Sequence, residues 1–555
     1  MIKYIFSILF ILLITSSYSQ WTSNFGGPGK GDVNFENAKG NAITTDQSGN
    51  SFATGYSFEE AGGNDILTIK YNSAGEIIWA VTFNGTASLD DEGNGICVDQ
   101  SGNIYVVGAS QNVVSSCDIT LLKYDQEGTL LWSRIYYSDG AGREDKGLGI
   151  ALDASGCIYI TGYTTNSDSY TDIVLRKYDP EGNPLWTSLE DGSANLDAIG
   201  SCVTVSTSGN VYVGGYVTSS GNGTDIFVRK YNSNGWPRWT KTINGGGNSE
   251  DRAWGIVVDE EDNLYVGGFV TDELNGTDCY IAKIGNFGYL LWSRTYNGPG
   301  NSTDKAWGIV IDEEDNSVYV TGETSDANRN TNYVTMKYDT YGNSGWISEY
   351  NGSGNGTDIA SAIGIIVNPD NSKSVVVTGK SWGTTETFDY ATVRYDISDG
   401  SLTQVNTYSM NGLSNDVASD IAITPDNNVL ITGYSQLIIE APVEQSYVST
   451  MMISWNSAGS LTSGNILPEK FELFQNYPNP FNPETKIKFT IPEASVVQLK
   501  LYDILGRQVD ILIDQYLMKG THDITYSNLN LSSGTYFYEL RSGKYRDIKK
   551  MTLIK

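Results

Sequence analysis

A repeat of about 53 residues constrains the fold of this chain more than any other feature of its sequence. A glycine that follows a short apolar run recurs eight times, at intervals of 53, 54, 53, 53, 54, 57 and 54 residues. Its positions are Gly55, Gly108, Gly162, Gly215, Gly268, Gly322, Gly379 and Gly433. Self-similarity at a fixed period of this length is typical of repeat architectures, in which each copy forms one structural unit.

Each copy has the residue pattern of four short β-strands. In the second copy, apolar stretches 95–99 and 104–108 flank one turn, and stretches 118–124 and 129–136 flank another. Runs of Val, Ile, Tyr and Thr bounded by Asp, Asn, Ser and Gly indicate strands and tight turns. Four strands per copy are typical of a propeller blade. We therefore predict an all-β chain with an eight-bladed β-propeller, or alternatively a seven-bladed one, followed by a small C-terminal β-sandwich.

The two ends of the repeat region complement each other. Residues 20–28 resemble the last strand of a copy with its loop and precede the first complete copy, whereas the eighth copy, near Trp455, lacks a tryptophan-bearing last strand. We predict that the N-terminal strand completes the last blade, which would close the ring and remove two open sheet edges. The propeller is assigned to residues 20–465.

A tryptophan recurs in phase with the glycine, in the pattern Lys-Tyr-Asp-x-x-Gly-x-x-x-Trp, as in residues 177–186. We predict that each ring packs between neighbouring blades, because a large buried ring stabilises the radial stack. The pattern resembles the SBBP beta-propeller repeat of secreted bacterial proteins over about residues 21–465. The resemblance implies architecture rather than activity, and the seventh copy departs from it, with Val405 near the tryptophan position. The tryptophans are Trp79, Trp132, Trp186, Trp239, Trp292 and Trp346.

Charge and histidine content argue against several classes of function. The formal net charge is −30, yet the segment from Glu469 onward carries 12 Lys and Arg against 10 Asp and Glu, so the acidity belongs to the repeats. An acidic surface repels nucleic acid, because phosphate binding requires clustered Lys and Arg. The single histidine, His522, lies outside the repeats, which therefore lack the imidazole of most nucleophilic and zinc sites. We expect no nucleic-acid partner, no metal and no cofactor.

The five cysteines are an odd number without a Cys-x-x-Cys pair. We interpret them as isolated small apolar residues. The sequence leaves open whether any two of them form a disulfide. They are Cys97, Cys117, Cys157, Cys202 and Cys279.

Carboxylates and aromatic rings recur in the loop that enters the first strand of each copy, and they form the candidate ligand site. In a propeller these loops surround one mouth of the central channel, where rings and carboxylates can hold a sugar or a cationic group. The alternative is blade-to-blade packing with a solvated acidic rim. The candidate residues are Asp91, Asp145, Asp251, Asp304 and Asp416, together with Trp254 and Trp307.

A second acidic series begins the third strand of the copies. Such aspartates usually satisfy nearby backbone N–H groups, and none belongs to the dense Asp-x-Asp-x-Asp run of a calcium loop. Two carboxylates suffice for glycoside hydrolysis, but recurrence in nearly every copy favours a scaffold role, since a catalytic pair would break the repeat. We predict no enzymatic activity, with a carboxylate-based hydrolase or lyase as the alternative. The series is Asp65, Asp118, Asp172, Asp225, Asp278 and Asp389, with Asn332 in the matching position.

Residues 466–555 differ from the repeats and are predicted to form the β-sandwich. Four motifs, at residues 476–483, 505–507, 534–536 and 549–550, resemble the C-terminal type A sorting domain of the Bacteroidetes type IX secretion system. The resemblance implies transport by that machinery, removal of the domain by a sortase-like protease, and surface tethering or release of the cargo. The motif residues are Asn476, Tyr477, Pro478, Asn479, Pro480, Phe481, Asn482, Pro483, Leu505, Gly506, Arg507, Gly534, Thr535, Tyr536, Lys549 and Lys550.

Residues 1–19 have the pattern of a secretory signal peptide, with Lys3, an apolar run at 5–14, and small residues before a cleavage site ahead of Gln20. The run is shorter than the ~20 apolar residues of a spanning helix. We expect an exported monomer, secreted or attached to the outer-membrane surface, whose propeller binds a glycan or a protein. The alternatives are the hydrolase or lyase and a purely structural surface component.

Overall fold

The computed structural model consists of β-strands. It describes residues 21–25, 38–59, 63–87, 89–112, 117–137, 143–192, 196–221, 223–247, 249–273, 276–410, 414–438, 444–454, 471–476, 479, 481, 484–492, 495–517, 520–527 and 531–554, and the predicted signal peptide lies outside these ranges. Every helix or strand assigned within them is a strand, which confirms the all-β prediction. The chain separates into two compact units, one within residues 1–460 and one formed chiefly by Leu461–Lys555.

The described part of the first unit forms eight four-stranded antiparallel sheets. Seven sheets consist of four consecutive strands in chain order: β2 (Ala38–Thr45), β3 (Ser51–Glu59), β4 (Gly63–Tyr71), β5 (Ile77–Phe83); β6 (Glu92–Val98), β7 (Ile104–Gln111), β8 (Cys117–Tyr124), β9 (Leu130–Tyr136); β10 (Lys146–Leu152), β11 (Ile158–Thr165), β12 (Thr171–Tyr178), β13 (Pro184–Glu190); β14 (Ala198–Val205), β15 (Val211–Ser219), β16 (Gly223–Tyr231), β17 (Pro237–Ile243); β18 (Arg252–Val258), β19 (Leu264–Asp272), β20 (Gly276–Ile284), β21 (Leu290–Tyr296); β22 (Lys305–Asp312), β23 (Ser317–Ser325), β24 (Thr331–Tyr338), β25 (Ser344–Tyr350); and β26 (Ile359–Val367), β27 (Lys373–Trp382), β28 (Phe388–Asp396), β29 (Leu402–Tyr408). The eighth sheet contains β30 (Ser414–Ile423), β31 (Val429–Ile438), β32 (Glu444–Ile453) and β1 (Trp21–Phe25).

The first strands of the sheets form a closed inner ring. Each of β2, β6, β10, β14, β18, β22, β26 and β30 packs against the next, and β30 packs against β2. The apolar cores lie between neighbouring sheets: Tyr212 and Ile226 of one sheet pack with Leu264 and Ile284 of the next. Sheets packed radially around an axis are the arrangement of a β-propeller.

The N-terminal strand completes the last sheet, as the sequence predicts. β1 pairs antiparallel with β32, with Trp21 opposite Met452 and Phe25 opposite Val448. Val448 and Met452 also belong to a core that includes Leu67 of the first complete sheet. The two ends of the repeat region are therefore joined both by backbone pairing and by side-chain packing.

The phased tryptophans join neighbouring sheets, which confirms the packing prediction. The indole Nε1 of Trp239 donates a hydrogen bond of 2.8 Å to the backbone oxygen of Asn286 in the next sheet. Its ring lies against Gly288, whose φ is +84° and where an added Cβ would approach the ring to 2.7 Å. The pattern therefore needs glycine at this position, because the turn has a positive φ and the tryptophan ring leaves no room for a Cβ. The same bond joins Trp79 to Gln126, Trp186 to Ser233, Trp292 to Thr340 and Trp346 to Ile397.

The lysine of the pattern strengthens the same junction. Lys70 and Trp79 are cross-strand neighbours, and both donate to the backbone oxygen of Gln126 at 2.9 Å. Lys123 reaches the backbone oxygen of Pro180 at 3.0 Å in the following sheet. These lysines therefore serve the scaffold rather than a ligand.

Every inner strand contains a β-bulge at the same position. One residue between two paired neighbours has no partner on the second strand, and it is at least partly exposed in each sheet. A bulge redirects a side chain relative to the regular pleat, and here it places one residue per sheet beside the inner ring. The bulge residues are Asn41, Asn94, Leu148, Ser201, Trp254, Trp307, Ser361 and Ser419.

Asp420 follows one of these bulges and makes the stability of the propeller depend on pH. Its carboxylate accepts hydrogen bonds from the backbone N–H of Ile43 at 2.9 Å and of Ile421 at 2.8 Å, but burial raises its pKa from 3.8 to about 6. The native state therefore holds the proton more tightly than the unfolded chain, so the free energy of unfolding falls as pH rises through this interval.

We expect Asp420→Asn to reduce this loss of stability. The free energy of unfolding of the wild type should fall by about 1–2 kcal/mol more than that of the variant between pH 4 and pH 7. Thermal unfolding followed by circular dichroism at a series of pH values checks the difference. Parallel pH profiles for the two proteins would contradict the assignment.

The second unit contains two sheets with one shared core. Leu473, Ile487 and Phe489 of the first sheet pack with Leu499 and Tyr538 of the second, as in the predicted sandwich. The strands are β33 (Glu472–Leu473), β34 (Glu484–Ile491), β35 (Ser495–Tyr502), β36 (Gln508–Leu517), β37 (Gly520–Ser527), β38 (Gly534–Ser542) and β39 (Tyr545–Leu553), in the sheet orders β33-β34-β37 and β36-β35-β38-β39.

Candidate functional site

Four of the five candidate aspartates lie in the loops that lead into inner strands and Asp416 lies within the inner strand β30, but all five side chains are buried. Asp91 is 1% exposed and accepts hydrogen bonds from the backbone N–H of Gly85 at 2.5 Å and of Gln111 at 2.7 Å. Asp251 accepts equivalent bonds from Gly245 and Thr271, both at 2.6 Å. Each carboxylate ties the loop between two sheets to the end of a second strand. Because burial removes water from these carboxylates, it raises the pKa of Asp91 and of Asp251.

The remaining members of the series are enclosed in the same way. Asp145 accepts from the backbone N–H of Thr165 at 2.7 Å, and Asp304 accepts from those of Gly298 and Ser325, both at 2.8 Å. Asp416, fully buried, accepts from Ser414 Oγ at 2.7 Å. The proposed solvated acidic rim is thus not formed by these carboxylates, which face the protein interior.

Asp358 belongs to the series and was missed by the sequence reasoning. It accepts from the backbone N–H of Gly352 and of Trp382, both at 2.8 Å, and it is fully buried. The signal was present, since Asp358 stands two residues before the small residue Ala360 that precedes the bulge, as Asp251 does before Ala253.

The two candidate tryptophans are brought together. Trp254 and Trp307 are the bulge residues of adjacent inner strands, and their ring centroids lie 4.9 Å apart. Trp254 is 37% exposed. Lys305 Nζ lies 5.8 Å from the ring centroid of Trp307, within cation–π range. The pair therefore presents an accessible aromatic surface beside the inner ring.

A cavity of about 470 Å³ opens beside residues 143 and 144, which directly precede the buried Asp145. Tyr163, Tyr216, Glu144 and Arg143 line it. Tyr163 OH donates to Glu144 Oε1 at 3.1 Å, and burial raises the pKa of both tyrosines, so their hydroxyls stay protonated. The guanidinium of Arg252 lies 4.5 Å from the ring centroid of Tyr216. Both rings and charged groups thus surround this space.

A second cavity, of about 480 Å³, adjoins the first through their shared residue Glu144. Lys39, Tyr56, Glu92 and Lys146 line it. Lys146 Nζ lies 3.1 Å from Glu144 Oε1. Its walls are polar and carry both signs of charge. We name the two cavities together the polar mouth.

The polar mouth was missed by the sequence reasoning, although its signals stood beside the predicted residues. Glu92 and Lys146 each directly follow a buried loop aspartate, and Tyr163 and Tyr216 each directly follow the repeat glycine. Successive residues of a strand point to opposite sides, so a buried position predicts an accessible one next to it. The sequence analysis therefore selected the buried aspartates instead of the accessible residues directly beside them.

The described sorting-motif residues divide into buried and exposed groups. Asn476 is buried: its N–H donates to Tyr538 OH at 2.7 Å and its Nδ2 to Thr485 Oγ1 at 2.9 Å. Phe481 is also buried, and its N–H donates to the backbone oxygen of Thr552 at 2.9 Å. The Asn-Pro segment is thus fastened to the last strand of the sandwich. Tyr477, Pro478, Pro480, Asn482 and Pro483 lie outside the described residues.

The Leu-Gly-Arg motif forms an exposed turn. Leu505 is 73% exposed, Gly506 has a φ of +75°, and Arg507 Nε donates to Asp503 Oδ2 at 2.7 Å. This turn is free of the sandwich core and available to a partner. Of the other motif residues, Asn479 accepts from the N–H of Thr552 at 2.9 Å, Tyr536 OH donates to Ser532 O at 2.8 Å, and Gly534, Thr535, Lys549 and Lys550 lie on the paired strands β38 and β39.

The part of the chain that the structure describes offers little to a resident metal ion. It contains no group of three His, Cys, Asp or Glu side chains placed to hold one. All five cysteines are free thiols. Within the same described ranges, no helix is long and apolar enough to cross a membrane.

Family models identify both parts of the chain. The secretion system C-terminal sorting domain model matches residues 475–555. The SBBP beta-propeller repeat model matches residues 84–112, and the beta-propeller domain of unknown function DUF5122 matches residues 207–235. The chain is therefore a β-propeller repeat protein with a C-terminal sorting domain of type IX secretion, and it is exported to the cell surface or the medium.

Individual relatives are distant. The regulatory protein FlaEY of Caulobacter vibrioides is 29% identical over 161 residues, which are 26% of this chain and 16% of that protein. A protein of unknown function from Bacteroides caccae has a TM-score of 0.30 and 11% identity, over 47% of this chain and 82% of that one. PorZ, an essential bacterial surface component of the type IX secretion system of Porphyromonas gingivalis, has a TM-score of 0.22 and 11% identity, over 94% of this chain and 82% of that one.

Proposed function

We propose that this chain is a surface or secreted propeller that binds a glycan in the polar mouth. The observation that supports it is the pair of adjoining cavities, of about 470 and 480 Å³, lined by tyrosine rings and charged groups. Open clefts of this volume are within the range of small-ligand sites. The sorting domain directs the protein to the cell surface or the medium, where a glycan ligand would have to be met.

The chemistry of the polar mouth suits a sugar better than an ion. Glu144 is paired with Lys146 and accepts from Tyr163, so part of its charge is compensated within the polar mouth. A sugar offers hydroxyl groups that both donate and accept, and its apolar ring faces pack on aromatic side chains. Tyr163 and Tyr216 supply such rings, while Arg143 and Glu144 supply donors and acceptors.

We further propose that the function is binding rather than catalysis. A retaining or inverting glycosidase requires two carboxyl groups that flank the scissile bond. The recurring aspartates are instead occupied by backbone N–H groups, as at Asp91 and Asp304. Glu144 is held by a lysine and a tyrosine. A carboxylate-based hydrolase or lyase remains the second candidate, and release of reducing ends from a bound polysaccharide would establish it.

A glycan array with the purified full-length protein tests the proposal. We expect saturable binding to at least one oligosaccharide class, weakened at least tenfold, about 1.4 kcal/mol, by the double variant Tyr163→Ala with Tyr216→Ala. The control is Tyr289→Ala with Tyr341→Ala, which removes two tyrosines that are 75% and 76% exposed in turns elsewhere on the propeller. Equal loss in both double variants, or none in the first, would refute the polar mouth as the binding site.

Trp254→Ala with Trp307→Ala is the third arm of the same array. Because this pair borders the inner ring with one ring 37% exposed, weaker binding in this variant alone would move the site from the polar mouth to the tryptophan pair. Weaker binding in both the tyrosine and the tryptophan variants would show a ligand that spans the two.

A further inference from the structure

The most exposed large apolar side chains of the propeller lie in one kind of turn. This turn joins the third strand of a sheet to the fourth, and the side chains occur in three consecutive sheets. Their exposed fractions of 69% to 81% are the highest among the large apolar residues of the propeller that the structure describes. Single apolar residues are normal on a protein surface, whereas a group of them indicates an interaction site. We name this group the turn aromatics: Trp236, Phe287, Tyr289 and Tyr341.

The turns that carry these rings follow one another around the rim of the propeller. Trp239 of the fourth sheet packs on Gly288, which lies between two of the turn aromatics. Trp292 of the fifth sheet packs in the same way on Gly342, directly after Tyr341. Each turn therefore lies against the outer strand of the preceding sheet, and the three turns form a continuous series.

The corresponding turns of the first three sheets carry no aromatic residue. The residue directly before the turn glycine is Phe287 in the fifth sheet and Tyr341 in the sixth. In the second and third sheets the same position holds Glu127 and Glu181, which are exposed. The turn aromatics are thus a departure from the repeat, in which rings replace solvated polar residues.

A second departure from the repeat lies beside the first. The turn between the first two strands reads Gln-Ser-Gly at residues 47–49 and 100–102, but Glu-Glu-Asp at residues 260–262 and 313–315 of the fifth and sixth sheets, where the glutamates are exposed. Asn286 fastens one of these acidic turns to an aromatic turn: its N–H donates to Asn263 Oδ1 at 3.3 Å and its Nδ2 to the backbone oxygen of Glu261 at 3.2 Å. Exposed carboxylates therefore lie next to the turn aromatics.

Both kinds of turn lie at the end of the propeller opposite to the polar mouth. The strands of each sheet alternate in direction, so the turns after the first and third strands share one end. Residues of the polar mouth, such as Glu92 and Tyr163, lie near the start of a first strand or the end of a second strand. Glycan binding in the polar mouth therefore leaves this surface accessible.

We propose that the turn aromatics and the neighbouring glutamates bind a polypeptide segment rich in lysine and arginine. Cationic groups are attracted to the faces of aromatic rings, and their carbon stems pack on apolar surface. Glu314 is already paired with Lys373 at 3.0 Å, so the opposite charge for the partner comes from Glu260, Glu261 and Glu313. The net charge of −30 repels an acidic partner and speeds the approach of a basic one. Charge and aromatic surface thus select the same class of partner.

Fluorescence anisotropy of two labelled synthetic peptides, titrated with the full-length protein, tests the proposal. One peptide repeats the unit Arg-Ala-Lys-Ser, and the other, of equal length, repeats Glu-Ala-Asp-Ser. The basic peptide alone should bind saturably. Phe287→Ser with Tyr341→Ser should weaken its binding roughly tenfold, and Glu260→Gln with Glu261→Gln about threefold. Because all four side chains are exposed, each variant should keep the circular dichroism spectrum and the Tm of the wild type.

Matched variants separate this surface from the general acidity of the chain. Glu127→Gln with Glu181→Gln removes two exposed carboxylates from turns of the second and third sheets and should leave the affinity nearly unchanged. Tyr137→Ser removes a ring that is 63% exposed outside the turn aromatics and should also have no effect. Absence of saturable binding, binding of both peptides, equal losses in the two glutamine variants, or wild-type affinity in Phe287→Ser with Tyr341→Ser would overturn the proposal. Binding of neutral phosphatidylcholine vesicles in place of the basic peptide would overturn it as well and assign the rings to a lipid surface.

Discussion

Deletion of residues 471–555 should leave the propeller inside the periplasm of a host that carries a type IX system. The sorting-domain model matches residues 475–555 of this segment, and the segment has its own core, distinct from the inter-sheet cores of the repeats. The deletion therefore removes the export signal and spares the fold of the cargo. Cell fractionation, with protease added to intact cells, measures the location of the chain.

A fusion provides the control for this deletion. Residues 466–555 attached to a periplasmic reporter that is otherwise retained should carry the reporter to the surface or the medium. Protease-sensitive propeller on cells that express the deletion variant would contradict the role of the domain. Reporter retained despite the fusion would show that the propeller also contributes to sorting.

Trp239→Ala should cause a large loss of stability for a single substitution. It removes a ring that packs on Gly288 and a hydrogen bond to Asn286 of the next sheet. Truncation of a fully buried tryptophan costs about 3–5 kcal/mol. Trp239 is partly buried, so we expect a loss in the lower part of this range, at a junction between two sheets. Thermal unfolding by circular dichroism should show a Tm lower by several degrees.

Trp236→Ala is the matched control. Trp236 lies three residues away, beside the same sheet, but is 69% exposed, so its loss should change the free energy of unfolding by no more than about 0.5 kcal/mol. A similar fall in Tm for both variants would contradict the docking role that we assign to the phased tryptophans.

The architecture of the repeats can be predicted from the sequence because it depends on interactions between residues that are close together in the chain. Asp-x-x-Gly turns form from residues within four positions: the carboxylate of Asp125 accepts from the backbone N–H of Glu127 and of Thr129. The tryptophan contact repeats with the period of the chain. The closing strand was predictable because β1 lacks neighbours of its own in sequence, and β32 lacks a following partner.

The site was only partly predictable, because the orientation of a side chain depends on tertiary contacts. The loops that hold Asp91 and Asp251 were placed correctly, but their carboxylates turn inward to backbone donors from a strand about 20 residues away. Those donors determine which of two successive residues is buried and which is exposed to solvent. The bulges had a similar effect, since they redirect Trp254 and Trp307 in a way that the strand pattern alone does not predict.

Positions that break the repeat become recognisable once the structure supplies the alignment of the sheets. The same comparison shows Asp420 standing where the other inner strands carry a small residue such as Gly255 or Gly308. Departures of this kind identify positions where one sheet has acquired a property that the others lack.

Binding of a labelled oligosaccharide to intact host cells tests the central claim that the exported propeller binds a glycan in the polar mouth. The oligosaccharide is the one selected by the array, and surface amounts of each variant are matched with antibody. Cells that display the wild type should retain the label saturably, and cells that display Tyr163→Ala with Tyr216→Ala should retain at most a tenth of it. Equal retention by both, at equal surface amounts, would contradict the account.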